Sequence, residues 1–349
     1  MSGPSPSTAA SVSTIPIWRE TLTTLPPTDL IPRRTDVVVV GAGVIGLAAA
    51  LRLARSGAAV VVFDAVRPGS GATTADGGVI GWRRPRSSSG ATLPDTLAVA
   101  SATDWLRARL AADGISADVD AGELLGAAGF VVAEGSTATV DPARLVDGMV
   151  RAAMGRGVVV AARQPVRSIA RHTTGYQVLT STHKVAAGQV VVATGADPGP
   201  PPVPEALRRF GLGRAVGLVA AASAGQIESI TGGRHLPTRH RRLMRRAPGG
   251  VLVWIADADL PRDPARLLAA AAPELAGAGV THLWSDVHVL APDRLAHIVR
   301  IDGLWYAGGA TDLAVGAMVG DEVGAVAAGD SGSGRFTDSP PPRRWRRRT

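Results

Sequence analysis

A chain of 349 residues, 46% of them hydrophobic, is long enough to bury a large core and to form about two domains. It contains no cysteine, which excludes disulfides, thiolate metal sites and cysteine nucleophiles. Its seven histidines show no spacing typical of a metal site, so we expect no bound metal. The formal charge of +8 raises the question of nucleic-acid binding, which depends on where the arginines lie.

The N-terminal segment lacks a basic stretch followed by an apolar core, so residues 1–33 are expected to form a disordered lead and not a signal peptide. The longest apolar run, from Val37 to Leu51, is shorter than the ~20 residues that cross a bilayer, and glycines interrupt it. We therefore expect a cytoplasmic protein that does not interact with a membrane.

Residues 36–55 contain a pattern typical of a phosphate-binding turn. The β-branched run 36–40 predicts a central strand of a parallel sheet. It leads into G-x-G-x-x-G at Gly41, Gly43 and Gly46, ahead of a helix predicted over 47–55. The first glycine permits a tight turn, the second lets the backbone approach a pyrophosphate, and the third lets the helix lie close to the sheet.

A second predicted strand, 59–63, ends at Asp64, about 20 residues beyond the first glycine, where a ribose-binding carboxylate belongs. Its charge would repel a 2′-phosphate, which leaves FAD or NAD as the dinucleotide. A βαβ turn with a purely structural role, or a processing signal, is the alternative interpretation.

The region after residue 140 separates these two cofactors. Asp141 and Pro142 predict the start of a helix, as N-cap and first helical residue. Residues 157–182 predict two or three strands with a polar turn at 172–175, and 189–197 predicts another buried strand. Such a β-meander inserted between Rossmann strands is typical of flavoproteins, whereas simple NAD dehydrogenases usually continue with the next βαβ unit directly. The order of elements favours FAD.

Four stretches that together span most of residues 34–329 resemble one family. The chain resembles the D-amino acid oxidase superfamily of FAD-dependent oxidoreductases and, within it, the branch that includes γ-glutamylputrescine oxidase. The stretches are the glycine fingerprint with Asp64, "GSGATTADGG" at 69–78, the run 173–196, and the run 282–324.

The resemblance implies an α/β fold: a Rossmann-type FAD-binding domain with an inserted β-meander, and an α+β substrate domain with a mixed sheet. The FAD-binding domain is expected to be discontinuous, and the arginine-rich end to be a basic flexible tail. The expected divisions are 34–90, 140–200 and 296–330 for the FAD-binding domain, 91–139 and 201–295 for the substrate domain, and 331–349 for the tail.

The resemblance also implies FAD as the cofactor, held noncovalently because the 69–78 segment contains no histidine. The last helix is expected to direct its N-terminal amides at the flavin ring, where they favour negative charge. The residues expected to bind the cofactor are Gly41, Gly43, Val44, Ile45, Gly46, Asp64, Ala65, Ala72, Thr73, Gly77, Gly78, Val166, Thr194, Gly195, Gly308, Gly309, Ala314 and Val315.

The implied chemistry is two-electron oxidation of a C–N bond in a small amine or amino acid. Hydride would pass to flavin N5, water would hydrolyse the resulting imine, and O2 is the expected acceptor, giving H2O2. Such catalysis depends mainly on orientation over the ring and has no obligatory acid or base.

A hairpin predicted over 237–257, with its turn at Gly249–Gly250, carries the candidate substrate ligands. Alternation places His240 and Arg242 on one face of the strand. We expect this face to line the cavity, with Arg242 binding a substrate carboxylate and His240 near the amine; an arginine-rich strand facing solvent is the alternative. His297 is a third catalytic candidate.

Several positions depart from the family pattern. Ala75 and Asp76 stand where the family has arginine and asparagine, and 312–316 replaces a glycine-rich start of the last helix. Two hypotheses follow. The chain is an oxidoreductase with a remodelled pocket, or it is a degenerate relative that binds FAD weakly or not at all and acts as a binding or scaffold protein.

The tail "PPPRRWRRRT" carries five arginines around Trp345 and follows a Gly/Ser/Asp segment. A charge run of this kind is more often a solvated tail than a binding surface for nucleic acid. We therefore expect no nucleic-acid partner. The alternative is that the tail binds an anionic partner such as RNA or a membrane surface, and that the degenerate binding or scaffold protein would act through it.

Overall fold

The three-dimensional structure is a computed structural model. Within the part of the chain that it describes, no helix is long and apolar enough to cross a membrane. The described residues are 12–25, 28, 30–83, 94–120, 123–128, 131–132, 137–197, 211–232, 241–291, 295–310, 312–331 and 336.

The strands form two large sheets and two short ladders. In chain order the described strands are β1 (Arg34–Val40), β2 (Val60–Phe63), β3 (Val79–Ile80), β4 (Trp82–Arg83), β5 (Leu124–Ala128), β6 (Val131–Val132), β7 (Ala138–Thr139), β8 (Val159–Ala161), β9 (Ser168–His172), β10 (Gly175–Leu179), β11 (Lys184–Val192), β12 (Gly211–Ala221), β13 (Arg242–Ala247), β14 (Gly250–Ala256), β15 (Gly279–Leu290), β16 (His297–Ile301) and β17 (Leu304–Gly308).

The helices cover the faces of these sheets. The described helices are α1 (Val44–Arg55), α2 (Ala72–Ala75), α3 (Pro94–Ala112), α4 (Pro142–Gly155), α5 (Ala224–Gly232), α6 (Pro264–Ala271) and α7 (Leu313–Ala327), with 3-10 turns at Ile17–Glu20 and Pro273–Leu275.

The first large sheet has the order β16-β17-β11-β1-β2-β8, with the β9–β10 hairpin beside β11. Strands β8, β2, β1, β11 and β17 run parallel, and residues 37–40 are buried, as expected for a central strand covered on both faces. This is the Rossmann-type sheet with an inserted meander that the sequence predicts, and the fold class is confirmed.

Two local differences from the predicted elements have simple causes, and the predicted start of one helix is confirmed. Helix α1 begins at Val44, not residue 47, because Gly43 is already the extended N-cap. The meander and the returning strand are not separate, since the first half of β11 pairs with β10 while the strand also pairs with β1. Helix α4 begins as predicted, with the Asp141 carboxylate accepting two backbone N–H groups.

The second large sheet is antiparallel, in the order β15-β12-β14-β13-β5. One face contributes Leu243 and Trp254 to the core that it shares with α1, α4 and α7. The opposite face contributes Met244 and Val253 to a separate core closed by α5 and α6. Because side chains alternate across a strand, this division decides which residues of the sheet meet the parallel sheet.

The domain bounds remain a prediction. The strands of each large sheet come from the segments assigned to the corresponding domain. The second sheet takes β5 from segment 91–139 and its other strands from segment 201–295. Helix α3 comes from the same segment, yet it lies against α7, and its Leu106 and Leu110 belong to the core shared with α1.

Helices α1 and α7 approach each other across small residues. Gly316, Gly320 and Gly324 recur along one face of α7 and lie against α1. A side chain at Gly320 would overlap the carbonyl oxygen of Ile45 in the first turn of α1. This contact places α1, and with it the glycine turn, relative to the last helix.

We expect Gly320→Ala to lower the free energy of unfolding by about 1–3 kcal/mol, because the added methyl group must push α1 away from α7. Urea denaturation measures the change. Gly155→Ala is the matched control: this residue is exposed in α4 with open space around it, and alanine should be neutral or stabilise by about 0.5–1 kcal/mol. Equal effects of the two substitutions would contradict this account of the contact.

Candidate functional site

The glycine turn between β1 and α1 forms one wall of a cleft at the carboxyl end of the parallel sheet. Gly41 has a φ of +100°, and a side chain there would collide with the carbonyl group of Ala193. A side chain at Gly46 would overlap the carbonyl oxygen of Gly41, so glycine is needed for α1 to begin this close to β1. The N-terminus of α1 faces the cleft, where its dipole favours a phosphate.

Asp64 lies at the end of β2, beside this turn. Its carboxylate accepts hydrogen bonds from the backbone N–H of Ala42 and of Val66, each at 2.9 Å. Burial raises the pKa of Asp64, and the backbone hydrogen bonds oppose that shift. The carboxylate is therefore held in place at the cleft by two donors, which leaves oxygen lone pairs for a ribose hydroxyl.

Many of the residues predicted to bind a cofactor meet in this cleft. They come from the glycine turn and α1, from the ends of β2, β11 and β17, and from α2. Those that line it are Gly41, Gly43, Val44, Ile45, Asp64, Ala72, Thr73, Thr194, Gly195, Gly308 and Gly309.

Helix α2 is fastened beside the glycine turn. Oγ1 of Thr73 accepts the backbone N–H of Val44 at 3.1 Å, which links α2 to the start of α1. From the other side, the indole Nε1 of Trp284 donates to the carbonyl oxygen of Ala75 at 2.8 Å. Helix α2 thus joins the parallel sheet to β15 of the antiparallel sheet.

Asp76 follows α2 and is buried against the cleft. Its Oδ1 accepts the backbone N–H of Gly78 at 2.7 Å. Burial raises the pKa of Asp76 well above its ordinary value, and the nearby carboxylates of Asp286 and Asp312 raise it further. The residue that replaces the family's asparagine therefore favours a protonated carboxyl.

Asp312 is the N-cap of α7 and is also buried at the cleft. One oxygen accepts the backbone N–H groups of Ala314 and Val315, and the other accepts that of Gly81 at 2.8 Å. Burial raises the pKa of Asp312 to about 6 against the effect of these hydrogen bonds. The carboxyl group ties the start of α7 to the segment that leads into β4.

This arrangement corrects one prediction. The last helix was expected to direct its N-terminal amides at a flavin ring, with Ala314 and Val315 among the residues that bind the cofactor, but the N–H groups of both donate to Asp312. The departure from the glycine-rich family segment causes the change, because aspartate is a strong N-cap that uses the amides itself. The carboxyl group of Asp312, and not a set of free backbone N–H groups at the start of α7, therefore lies at this part of the cleft.

The opposite wall of the cleft comes from the antiparallel sheet and was not singled out from the sequence. Trp254 of β14 and Asp286 and His288 of β15 line it. Nδ1 of His288 lies 3.6 Å from Oδ2 of Asp286. The sequence does carry a signal for this wall: Trp284, Asp286 and His288 are two positions apart, which predicts that they share one face of a strand.

The face of β13 expected to line the cleft is the wrong one. Arg242 pairs with Ile255 across the sheet and is buried on the side of α6, where its Nη2 lies 2.7 Å from Oε1 of Glu274. A guanidinium engaged by this ion pair cannot receive a substrate carboxylate in the cleft. Alternation defines two faces, and hydrophobic residues occur on both, so the pattern did not decide between them.

The cleft side of β13 carries Arg245 instead. It is buried, and its Nη1 donates to the carbonyl oxygens of Gly78 and Val140 at 2.8 and 2.7 Å. Burial lowers the pKa of Arg245 to about 10. Its guanidinium also stacks 4.9 Å above the ring of Trp18, so it supports the loop behind Asp76.

The remaining predicted residues lie outside the cleft lining. His297 is buried at the start of β16, opposite Gly308 in the ladder, and His240 lies outside the described residues, as does the arginine-rich tail. Gly46 and Gly77 serve close packing, against Gly41 and Trp254. The other predicted cofactor residues that do not line it are Ala65, Gly78, Val166, Ala314 and Val315.

The residues present fit an extended dinucleotide. Ideal side chains at Gly195 and Gly308 would project into open space, so these glycines keep the cleft wide. The helix terminus at one side suits the pyrophosphate and Asp64 suits the ribose, as in other dinucleotide sites. Fold and cleft together define a dinucleotide-binding protein in which the antiparallel sheet forms the opposite wall of the cleft.

The chain belongs to the DAO family of FAD-dependent oxidoreductases. The model of this family matches residues 36–129 and 126–325. FAD is therefore the cofactor, and the chain is an FAD-dependent oxidoreductase. The match is to the family as a whole, so the resemblance to the γ-glutamylputrescine oxidase branch stays a prediction.

Solved structures show the same fold at low sequence identity. L-amino acid deaminase from Proteus vulgaris, with its insertion sequence deleted, is 17% identical, with a TM-score of 0.66 and coverage of 92% of this chain and 97% of that one. Glycine oxidase from Geobacillus kaustophilus is 17% identical, with a TM-score of 0.65 and coverage of 86% and 96%. L-proline dehydrogenase from P. horikoshii is 15% identical, with a TM-score of 0.66 and coverage of 86% and 95%. No curated protein sequence matches the chain.

We expect Arg242→Ala to lower the free energy of unfolding by about 3–5 kcal/mol, because it leaves the Glu274 carboxylate without its buried partner. The affinity for FAD should not change in the folded fraction. Chemical denaturation and flavin titration measure the two effects. Arg242→Met combined with Glu274→Leu removes both charges and should recover most of the stability, whereas a failure to recover would show that the ion pair is not the cause.

The raised pKa of Asp312 predicts a pH dependence of stability. Between about pH 4 and pH 6 the native state keeps a proton that the unfolded chain has released, so the free energy of unfolding should fall as pH rises through this window. The contribution of this group is at most about 3 kcal/mol, at 1.36 kcal/mol per pKa unit.

Denaturation at about pH 4 and pH 7 should show a smaller decrease in Asp312→Asn than in the wild type, because asparagine does not titrate. The asparagine should also destabilise the protein at both pH values, since it has only one acceptor oxygen and cannot accept both the N–H of Gly81 and those of Ala314 and Val315. Asp259→Asn, at an exposed carboxylate, is the control and should keep the wild-type pH dependence. An unchanged pH dependence in Asp312→Asn would contradict the assignment.

Proposed function

We propose that the chain oxidises a C–N bond of a small amine or amino acid. We call the glycine turn, the start of α1 and Asp64 the nucleotide cradle. The observation that supports the proposal is that this cradle shares one cleft with three side chains of the second sheet, those of Trp254, Asp286 and His288. When bound, FAD supplies a two-electron acceptor at N5 for the hydride of the carbon next to nitrogen, with O2 as the expected final acceptor that yields H2O2. Water then hydrolyses the imine product to a carbonyl compound and ammonia or an amine.

The side chains of the second sheet would orient the substrate. Trp254 is buried at the cleft and packs on Trp82, with ring centroids 5.3 Å apart at a tilted angle of 53°. A rigid aromatic wall of this kind limits the positions that a small substrate can take and excludes water from it. Orientation is the main contribution that a protein makes to hydride transfer.

Asp286 and His288 are the described side chains suited to hold the substrate proton. An amine that enters as an ammonium ion must lose a proton before hydride can leave the neighbouring carbon. The carboxylate and the imidazole lie 3.6 Å apart, and both are buried at the cleft. We assign proton acceptance to this pair, with Asp286 stabilising the charge that His288 gains.

The first test is the visible spectrum of the purified protein, with the released flavin identified and counted. We expect about one FAD per chain after reconstitution, and production of H2O2 with at least one member of a panel of small amines and amino acids. A protein that takes up no FAD would overturn the proposal and favour the degenerate binding or scaffold protein.

Two glycine substitutions test the cleft itself. Gly308→Val places a side chain in open space within the cleft and should weaken FAD binding at least about tenfold. Gly279→Val is the matched control, because Gly279 also has open space around it but lies at the far end of β15. Equal FAD affinity of the two variants would show that FAD binds elsewhere.

A further inference from the structure

Carboxyl groups predominate among the ionisable side chains of the cleft, where His288 is the one imidazole of the described lining and faces Asp286. Four carboxyl groups line it, those of Asp64, Asp76, Asp286 and Asp312, and none of its described lining residues is a lysine or arginine. Asp64 belongs to the ribose end of the nucleotide cradle. The other three belong to the end closed by the antiparallel sheet.

These three carboxyl groups differ in how they are satisfied. Asp76 and Asp312 accept backbone N–H groups that hold them in place. Asp286 is only 3% exposed, and its Oδ1 is buried without a hydrogen-bond partner among the described residues. A buried carboxylate oxygen without a partner is costly, so this atom indicates a donor that enters the cleft from outside.

The nearest arginines do not supply that donor. Arg19 donates to Oγ1 of Thr74 at 3.0 Å and to the carbonyl oxygen of Gly71 at 2.8 Å. Arg245 donates to backbone carbonyl oxygens behind Asp76. Neither guanidinium lines the cleft, so neither is placed to receive a carboxylate there.

We propose that the substrate is an amine that binds as an ammonium cation, held by Oδ1 of Asp286, and that it carries no carboxylate on the amine-bearing carbon. The inference rests on the proposed function and narrows its substrate class. A 2-amino acid would bring its carboxylate beside the carboxylates of Asp286 and Asp312, with no lysine or arginine of the described cleft lining to receive it, and His288 already faces Asp286. Like charges in a buried site disfavour binding. An ammonium group instead satisfies Asp286 and offsets the negative charge of the cleft.

Two ligands of nearly equal shape test this without turnover. tert-Butylamine and 2-aminoisobutyrate differ by a methyl group in place of a carboxylate, and neither has a hydrogen on the amine-bearing carbon, so neither is oxidised. Isothermal titration of the FAD-loaded protein should give at least about tenfold tighter binding of tert-butylammonium. Equal affinities, tighter binding of 2-aminoisobutyrate, or no binding of tert-butylammonium would overturn the proposal.

The role of Asp286 is tested by Asp286→Asn, which keeps the volume and removes the charge. It should weaken tert-butylammonium at least about tenfold and reduce the preference over 2-aminoisobutyrate, with unchanged FAD content. Asp259→Asn removes an exposed carboxylate that pairs with Arg214 outside the cleft, and it should leave both affinities unchanged. An unchanged preference in Asp286→Asn would remove this residue from the proposal.

Turnover separates this inference from the proposed function. Propylamine and 2-aminobutanoate differ by the same carboxylate and can be oxidised, and kcat/KM from H2O2 production should be higher for propylamine. Binding of tert-butylammonium without oxidation of any amine or amino acid would leave the cation site standing and overturn the oxidase. Oxidation of 2-aminobutanoate in preference to propylamine would leave the oxidase standing and overturn the cation site.

Discussion

The close approach of α1 to its neighbours is the constraint on which the site depends. Gly41 and Gly46 let the helix begin directly at the end of β1, and the glycines of α7 let the two helices touch along their length. Larger side chains at these contacts would displace the N-terminus of α1, where the pyrophosphate is expected. The nucleotide cradle is thus a consequence of backbone packing, and the polar groups of the cleft are arranged around it.

The glycine turn of the cleft matches the family pattern, whereas the end of the cleft beside the antiparallel sheet departs from it. Three buried carboxyl groups, from Asp76, Asp286 and Asp312, surround the region beside the second sheet. Two of them use backbone amides to remain in place, and burial raises the pKa of both. Oδ1 of Asp286 has no such donor among the described residues, and the proposed ammonium ligand would supply one.

Predictions from local sequence were accurate where neighbouring residues decide the structure. The β-branched run before Gly41, the glycine turn, the position of Asp64 and the cap at Asp141 all depend on residues close in the chain. Assignment of the β13 face failed for a different reason. Leu243 and Arg245 alternate with Arg242 and Met244, so both faces carry apolar and basic residues, and strand periodicity does not say which face meets the other sheet.

The amino-acid sequence alone therefore determined the fold class and FAD as the cofactor, and it predicts which residues hold the nucleotide, since glycine conformations and strand and helix patterns are local properties. The far end was decided by contacts between distant segments. Asp312 receives the N–H of Gly81 across 231 positions of the chain, and Asp286 enters the cleft because the antiparallel sheet turns this face toward α2. Such pairings depend on how two sheets pack, and the pattern within either sheet does not contain that information.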